Sequence, residues 1–140
     1  MKNKIFSLSF IMLLIVFSAF SLTVYAASDT YYSTLAFQGE HSGPTRTYTH
    51  KNISYSASAY NTLGGKTVTA NSSYPKTYTV SLYRKTVWFT SEKIGSKDLS
   101  RYQYGSASWT NVGAGDYYFY FKKARDGVNV NSNNVVMKGY

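Results

Sequence analysis

Near the end of the chain runs Tyr117-Tyr118-Phe119-Tyr120-Phe121-Lys122-Lys123. Aromatic side chains favour the pleated, half-buried surface of a strand, and five in succession leave the segment little alternative. Gly113, Gly115 and Asp116 interrupt whatever precedes it. Asp126-Gly127 follows, the two-residue signal of a type I′ turn, which needs positive φ at both central positions. The spacing predicts three consecutive antiparallel strands, Trp109–Val112, Tyr117–Arg125 and Val128–Lys138.

The same period of two runs through the earlier chain. Tyr31–Gln38 reads as a strand with Tyr31, Leu35 and Phe37 on one face and Tyr32 and Ala36 on the other. Gly39–Pro44 is a loop by its punctuation. Thr45–Tyr60 reads as one long strand: Ile53, Tyr55, Ala57 and Ala59 face one way and Ser54, Ser56 and Ser58 the other, as a sheet with one wet face requires. After a turn at Asn61–Gly65, Lys66–Ser72 carries Val68 and Ala70 inward, and Tyr74-Pro75 breaks the run. Lys76–Lys85 places Tyr78, Val80 and Leu82 against Thr77, Thr79 and Ser81. Near Tyr83 the apolar phase changes, with Val87 and Phe89 on the odd face, which predicts a bulge or a turn at Arg84-Lys85. Ser91–Ser100, charged and holding Gly95, reads as a loop, and Tyr102–Val112 returns to strand.

No window carries apolar residues at i, i+3, i+4 and i+7 for three turns. About eight strands separated by turn signals predict an all-β, antiparallel two-sheet sandwich, jelly-roll or Greek-key like, with an open barrel as the second reading. The connections are too short for parallel crossovers. Val80-Ser81-Leu82-Tyr83 with the later Gly113-Ala114-Gly115-Asp116-Tyr117-Tyr118-Phe119 resembles the closing strands of secreted accessory β-sandwiches attached to bacterial proteases and glycosidases. That resemblance implies the same fold class and brings no reactive residue with it.

The chain opens on Met1-Lys2-Asn3-Lys4, an apolar stretch from Ile5 to Val24, and Val24-Tyr25-Ala26. A basic start, an apolar middle and a small-residue end are the parts of a secretory signal peptide. Residues 1–26 are expected to be removed, leaving a single domain over 27–140 with no transmembrane segment. The sequence has no cysteine, so an exported domain of this kind holds together by burial and sheet hydrogen bonds alone. Export without disulfides points to a Gram-positive bacterium. With Lys2 and Lys4 gone, the 15 basic residues fall to 13 against 6 acidic ones, a net charge of +7. That excess favours polyanions such as teichoic acid, other anionic polysaccharides or a cell-wall surface, with nucleic acid not expected outside a cell.

Candidates for catalysis are sparse. His41 and His50 are the only imidazoles, and the acids are Asp29, Glu40, Glu92, Asp98, Asp116 and Asp126. Glu40-His41 reads as a solvated loop pair, His50 as a wet-face residue, and Asp116 and Asp126 as turn residues. Metal-ligand spacing, a calcium loop and a nucleophile elbow are all missing from the sequence. No enzyme, cofactor or metal is expected.

Binding has more to work with. If Tyr117, Phe119 and Phe121 face the core, then Tyr118, Tyr120 and Lys122 form an outward row, and the opposite phase would bury Lys122. Tyrosines beside cations make a flat amphipathic surface suited to sugar rings and acidic groups. Trp109 shares its face with Ala107 and belongs to the core, whereas Trp88, near Arg84 and Lys85, is the exposed ring. Tyr118, Tyr120, Lys122, Arg84, Lys85 and Trp88 are therefore the expected ligand-binding residues. Two other functions fit the same composition: a bacteriocin-like toxin, or a self-associating matrix protein in which Asn129, Asn131, Asn133 and Asn134 expose a sticky strand edge.

Overall fold

A computed structural model describes residues 29–87 and 89–140. The expected signal peptide and Trp88 lie outside the described residues. Eleven strands form, and no helix is present among the described residues: β1 (Thr30–Phe37), β2 (Glu40–Ser42), β3 (Arg46–Tyr48), β4 (Ile53–Ser58), β5 (Tyr60–Leu63), β6 (Lys66–Val68), β7 (Thr77–Val87), β8 (Thr90–Ser100), β9 (Tyr104–Trp109), β10 (Gly115–Lys122) and β11 (Asn129–Gly139). All pair antiparallel, in two sheets. The count exceeds the expected eight because β2 forms inside the expected loop Gly39–Pro44, the expected strand Thr45–Tyr60 is divided into β3, β4 and the start of β5, and β8 covers the expected loop Ser91–Ser100.

In the six-stranded sheet β11 is central. β1 runs along one edge of it, while β4 and β5 lie end to end along the other, carrying β9 and β6 outside them. Asn129 and Asn131 thus sit on a strand paired on both edges, and the expected sticky edge is not formed. In the five-stranded sheet β10 holds β2 and β3 end to end on one edge and β7, then β8, on the other.

The apolar rows predicted by alternation in β4, β7 and β10 turn inward and meet between the sheets. Ile53, Tyr55, Ala57, Tyr78, Val80, Leu82, Tyr117, Phe119 and Phe121 are buried, as is Trp109. Tyr55 from one sheet lies 5.4 Å from Phe119 and 5.6 Å from Phe121 of the other, and Trp109 lies 5.7 Å from Phe119, centroid to centroid. Each such aromatic contributes about 1.5–3 kcal/mol by leaving water. The Tyr55 and Tyr78 hydroxyls, 3.3 Å apart, satisfy one another across the layer.

Three expectations fail at the chain's crossings between sheets. β9, β10 and β11 are consecutive in sequence but alternate between sheets, so Tyr117–Arg125 and Val128–Lys138 do not form a hairpin. The type I′ geometry sits instead at Gly64-Gly65, where φ is +57° and +78° and Leu63 pairs with Lys66. Likewise Thr45–Tyr60 is not one strand: β3 belongs to the five-stranded sheet and β4 to the six-stranded one.

Asp126 fails to turn a hairpin because it is held elsewhere. Its Oδ2 accepts from Arg101 Nη1 at 2.7 Å, and its Oδ1 accepts from Lys123 Nζ at 2.7 Å and from the Val128 amide at 3.1 Å. Arg101 also donates to Asn61 Oδ1 and the Pro75 carbonyl, and Lys123 donates to the carbonyls of Gln38 and Ala124. Both cationic side chains are 0% exposed. Burial alone would raise the Asp126 pKa, but the hydrogen bonds from Arg101, Lys123 and Val128 outweigh it and hold the carboxyl well below its usual range. This cluster ties five separated segments together where β10 ends.

Ser91–Ser100 is a strand, not a loop. It forms most of β8, and its charges lie along an outermost strand of the sheet, where they discourage pairing with a further chain. The irregularity expected near Arg84-Lys85 is present as register shifts between β7 and β8, at Leu82/Tyr83 and Lys85/Val87, while β7 runs without a slip against β10. Ala70 is exposed beyond the end of β6. Thr30 begins β1, and Asp29 is anchored by the Thr49 hydroxyl.

Candidate functional site

The outer face of β10 is built by register. Tyr118 lies opposite Tyr83 of β7, Tyr120 opposite Ser81, and Lys122 between Thr79 of β7 and Glu40 of β2. Because Tyr117, Phe119 and Phe121 are drawn into the core, their neighbours must face solvent. The Tyr83 and Tyr118 rings stack with centroids 5.3 Å apart and planes 11° from parallel. Tyr120 meets Tyr83 edge-on at 6.1 Å and 79°. Its hydroxyl donates to Glu40 Oε2 at 2.6 Å, and Lys122 Nζ lies 3.4 Å from Glu40 Oε1. The Tyr120 hydrogen bond, reinforced by Lys122, lowers the Glu40 pKa, and the same bond raises that of the Tyr120 phenol.

Tyr83 was not among the expected binding residues, although it shares its phase with Thr79 and Ser81 and was findable on that ground. Lys85 is exposed on the same side, beside Asp116 in a shallow depression completed by Thr86 and Val87. Arg84 is not on this face. It lies opposite Tyr117 on the inner side, donates from Nη2 to the Ala114 carbonyl at 2.9 Å and sets its guanidinium 5.7 Å from the Tyr117 ring centroid. The alternation of Val80 and Leu82 carries on through Arg84, so Arg84, expected among the binding residues beside Lys85, lies on the opposite face from it. Val87 and Phe89, expected opposite an exposed Trp88, are themselves exposed.

Charge on this face is mixed. Lys85, Lys93 and Lys122 are matched by Glu40, Asp98 and Asp116; Asp98 accepts from the Thr79 hydroxyl at 2.7 Å and Asp116 from the Thr47 hydroxyl at 2.6 Å. The platform is therefore three tyrosine rings framed by carboxylates, hydroxyls and ammonium groups. It can stack against a ring and hydrogen-bond to hydroxyls on either side.

Neither histidine joins it. His41 stacks on Phe121 with centroids 6.1 Å apart, at a small slot of about 30 Å³. His50 does more than line a wet face: its Nδ1 is 2.9 Å from Asp29 Oδ2, and the Thr49 hydroxyl donates to the same oxygen at 2.9 Å. Burial raises the Asp29 pKa, and the His50 and Thr49 hydrogen bonds more than reverse that. Gly139 completes this clasp because a Cβ there would lie 2.8 Å from Asp29 Oδ2. Among the described residues no group of three or more His, Asp and Glu is placed to hold a metal, and no helix is long and apolar enough to cross a membrane. No protein-family model matches the chain, and no curated protein matches it in sequence.

Proposed function

We propose that the protein is a secreted, non-enzymatic β-sandwich of jelly-roll or Greek-key type that binds carbohydrate components of a bacterial cell envelope or extracellular matrix, anionic ones included. The observation that carries this reading is the Tyr83-Tyr118-Tyr120 cluster, three rings on the outer face of β7 and β10 with Glu40 and Lys122 at its rim. Sugar rings stack on such aromatics, and their hydroxyls find donors and acceptors around them. The aromatic core shared between two facing sheets supports the sandwich. The mixed charge of the face favours stacking and hydrogen bonding over a purely ionic grip. Retention on purified cell walls is the test. The protein is expected to be held at low salt and to remain largely held at ~0.5 M salt, where exposed charges are screened within a few ångströms. No retention at low salt would remove the reading.

A further inference from the structure

The β7–β8 hairpin outruns the sheet that supports it. β10 covers β7 only from Thr79 to Arg84, so Lys85–Val87 and Thr90-Ser91 pair with each other alone. At the end of this two-stranded arm Val87 is 63% exposed and Phe89 is 95% exposed. Elsewhere in the five-stranded sheet the large aliphatic side chains and phenylalanines turn inward: Val80, Leu82, Leu99, Phe119 and Phe121 are all buried. At this tip the Phe89 ring contributes nothing to the core and adds apolar surface beside Val87.

Cations collar the tip. Lys85 lies opposite Ser91 and Lys93 opposite Tyr83, and both are exposed. Val87 is two residues beyond Lys85, about 7 Å at the rise of a strand. Apolar groups that lie in a membrane interface sink about 5–10 Å below the headgroups while basic residues stay among the phosphates. Two acids lie near: Glu92 is opposite Arg84 in register, and Asp116, beside Lys85, accepts from Thr47. A second copy of the chain suits the arm less well, because Glu92, Lys93, Lys97 and Asp98 line the β8 edge along which another strand would add.

We propose that this hairpin tip is a lipid-anchoring site, inserting Val87 and Phe89 into the interface of an anionic bilayer with Lys85 and Lys93 on the lipid phosphates. Two apolar side chains and two cations make a reversible contact rather than a permanent anchor. The apolar tip lies apart from the three tyrosine rings, whereas Lys85 and Lys93 lie on the face that carries them.

The test is co-sedimentation of the chain from Ala27 onward, which contains every described core residue, with vesicles of phosphatidylglycerol in phosphatidylcholine and with phosphatidylcholine alone. Binding is expected to the anionic vesicles and to be much weaker to the neutral ones. Phe89→Ser should weaken it about tenfold or more, and Lys85→Glu with Lys93→Glu should abolish the preference for anionic lipid. Both variants should melt as the wild type does, since the substituted side chains are exposed, and Phe89→Ser, which lies off the platform, should keep the wild-type retention on cell walls. Absence of wild-type binding to anionic vesicles, or undiminished binding by Phe89→Ser, would overturn the proposal. So would concentration-dependent dimerisation that Phe89→Ser abolishes without any vesicle binding, which would make a second copy the occupant.

Discussion

Lys122 and Lys123 are neighbours in sequence and share a motif, one carboxylate taken by two donors, yet the two copies of that motif do different work. Lys122 and the Tyr120 hydroxyl engage Glu40 in the open, where the Lys122 and Glu40 side chains are 63% and 41% exposed. Lys123 and Arg101 engage Asp126 with both cations fully buried and the carboxylate 12% exposed. Buried, the motif is a rivet: none of its members can lose its partner without leaving a charge or carbonyl stranded in low dielectric. Exposed, its bonds exchange readily with water or with the hydroxyls of a ligand, as a recognition surface requires.

Removing the carboxylates separates the two most widely. Asp126→Asn should cost about 3–5 kcal/mol in urea denaturation because it leaves two buried cations without their counter-charge. Glu40→Gln should leave the denaturation midpoint where it is. The lysines come next. Lys123→Met should cost about 1–3 kcal/mol, since the carbonyls of Gln38 and Ala124 lose their donor, whereas Lys122→Met should not move the midpoint. Equal effects at the two positions, in either pair, would break the comparison.

Acid sharpens it further. The Asp126 pKa is depressed in the folded state, so its contribution is complete above the ordinary carboxyl value of 3.8 and is lost as pH falls below that toward the folded-state value. The stability gap between wild type and Asp126→Asn should therefore be constant from neutrality down to about pH 5 and close progressively in stronger acid. A gap that widened on acidification would mean that Asp126 is not the ionised partner of Arg101 and Lys123.

Much of this was legible in residue parity. Ile53 to Ala59, Tyr78 to Leu82 and Tyr117 to Phe121 all face as their alternation requires, and parity put Tyr118, Tyr120 and Lys122 outside. The partition into sheets was not legible, because an inward row looks the same whichever layer it belongs to. Asp126-Gly127 carries a hairpin signal, but a local turn preference is worth less than a carboxylate's pairing with two buried cations, and nothing local announces Arg101 as one of them. Lys123 was within reach: it follows Tyr117, Phe119 and Phe121 in the inward phase, and only the habit of placing lysine in water hid it. Arg84 went the other way: its place near Trp88 put it among the binding residues, although its parity followed Leu82. Charge-rich β8 read as a loop because an outermost strand is protected by the residues that elsewhere mark loops.

The platform's role turns most directly on two rings. In the doubly substituted protein Tyr118→Ser and Tyr120→Ser, retention on purified cell-wall polysaccharide should fall about tenfold or more, at ~1–3 kcal/mol for aromatic stacking and its hydrogen bond. The thermal midpoint should stay within about 5 °C of wild type, since both side chains lie outside the core. Undiminished retention by a protein that melts normally would contradict the account.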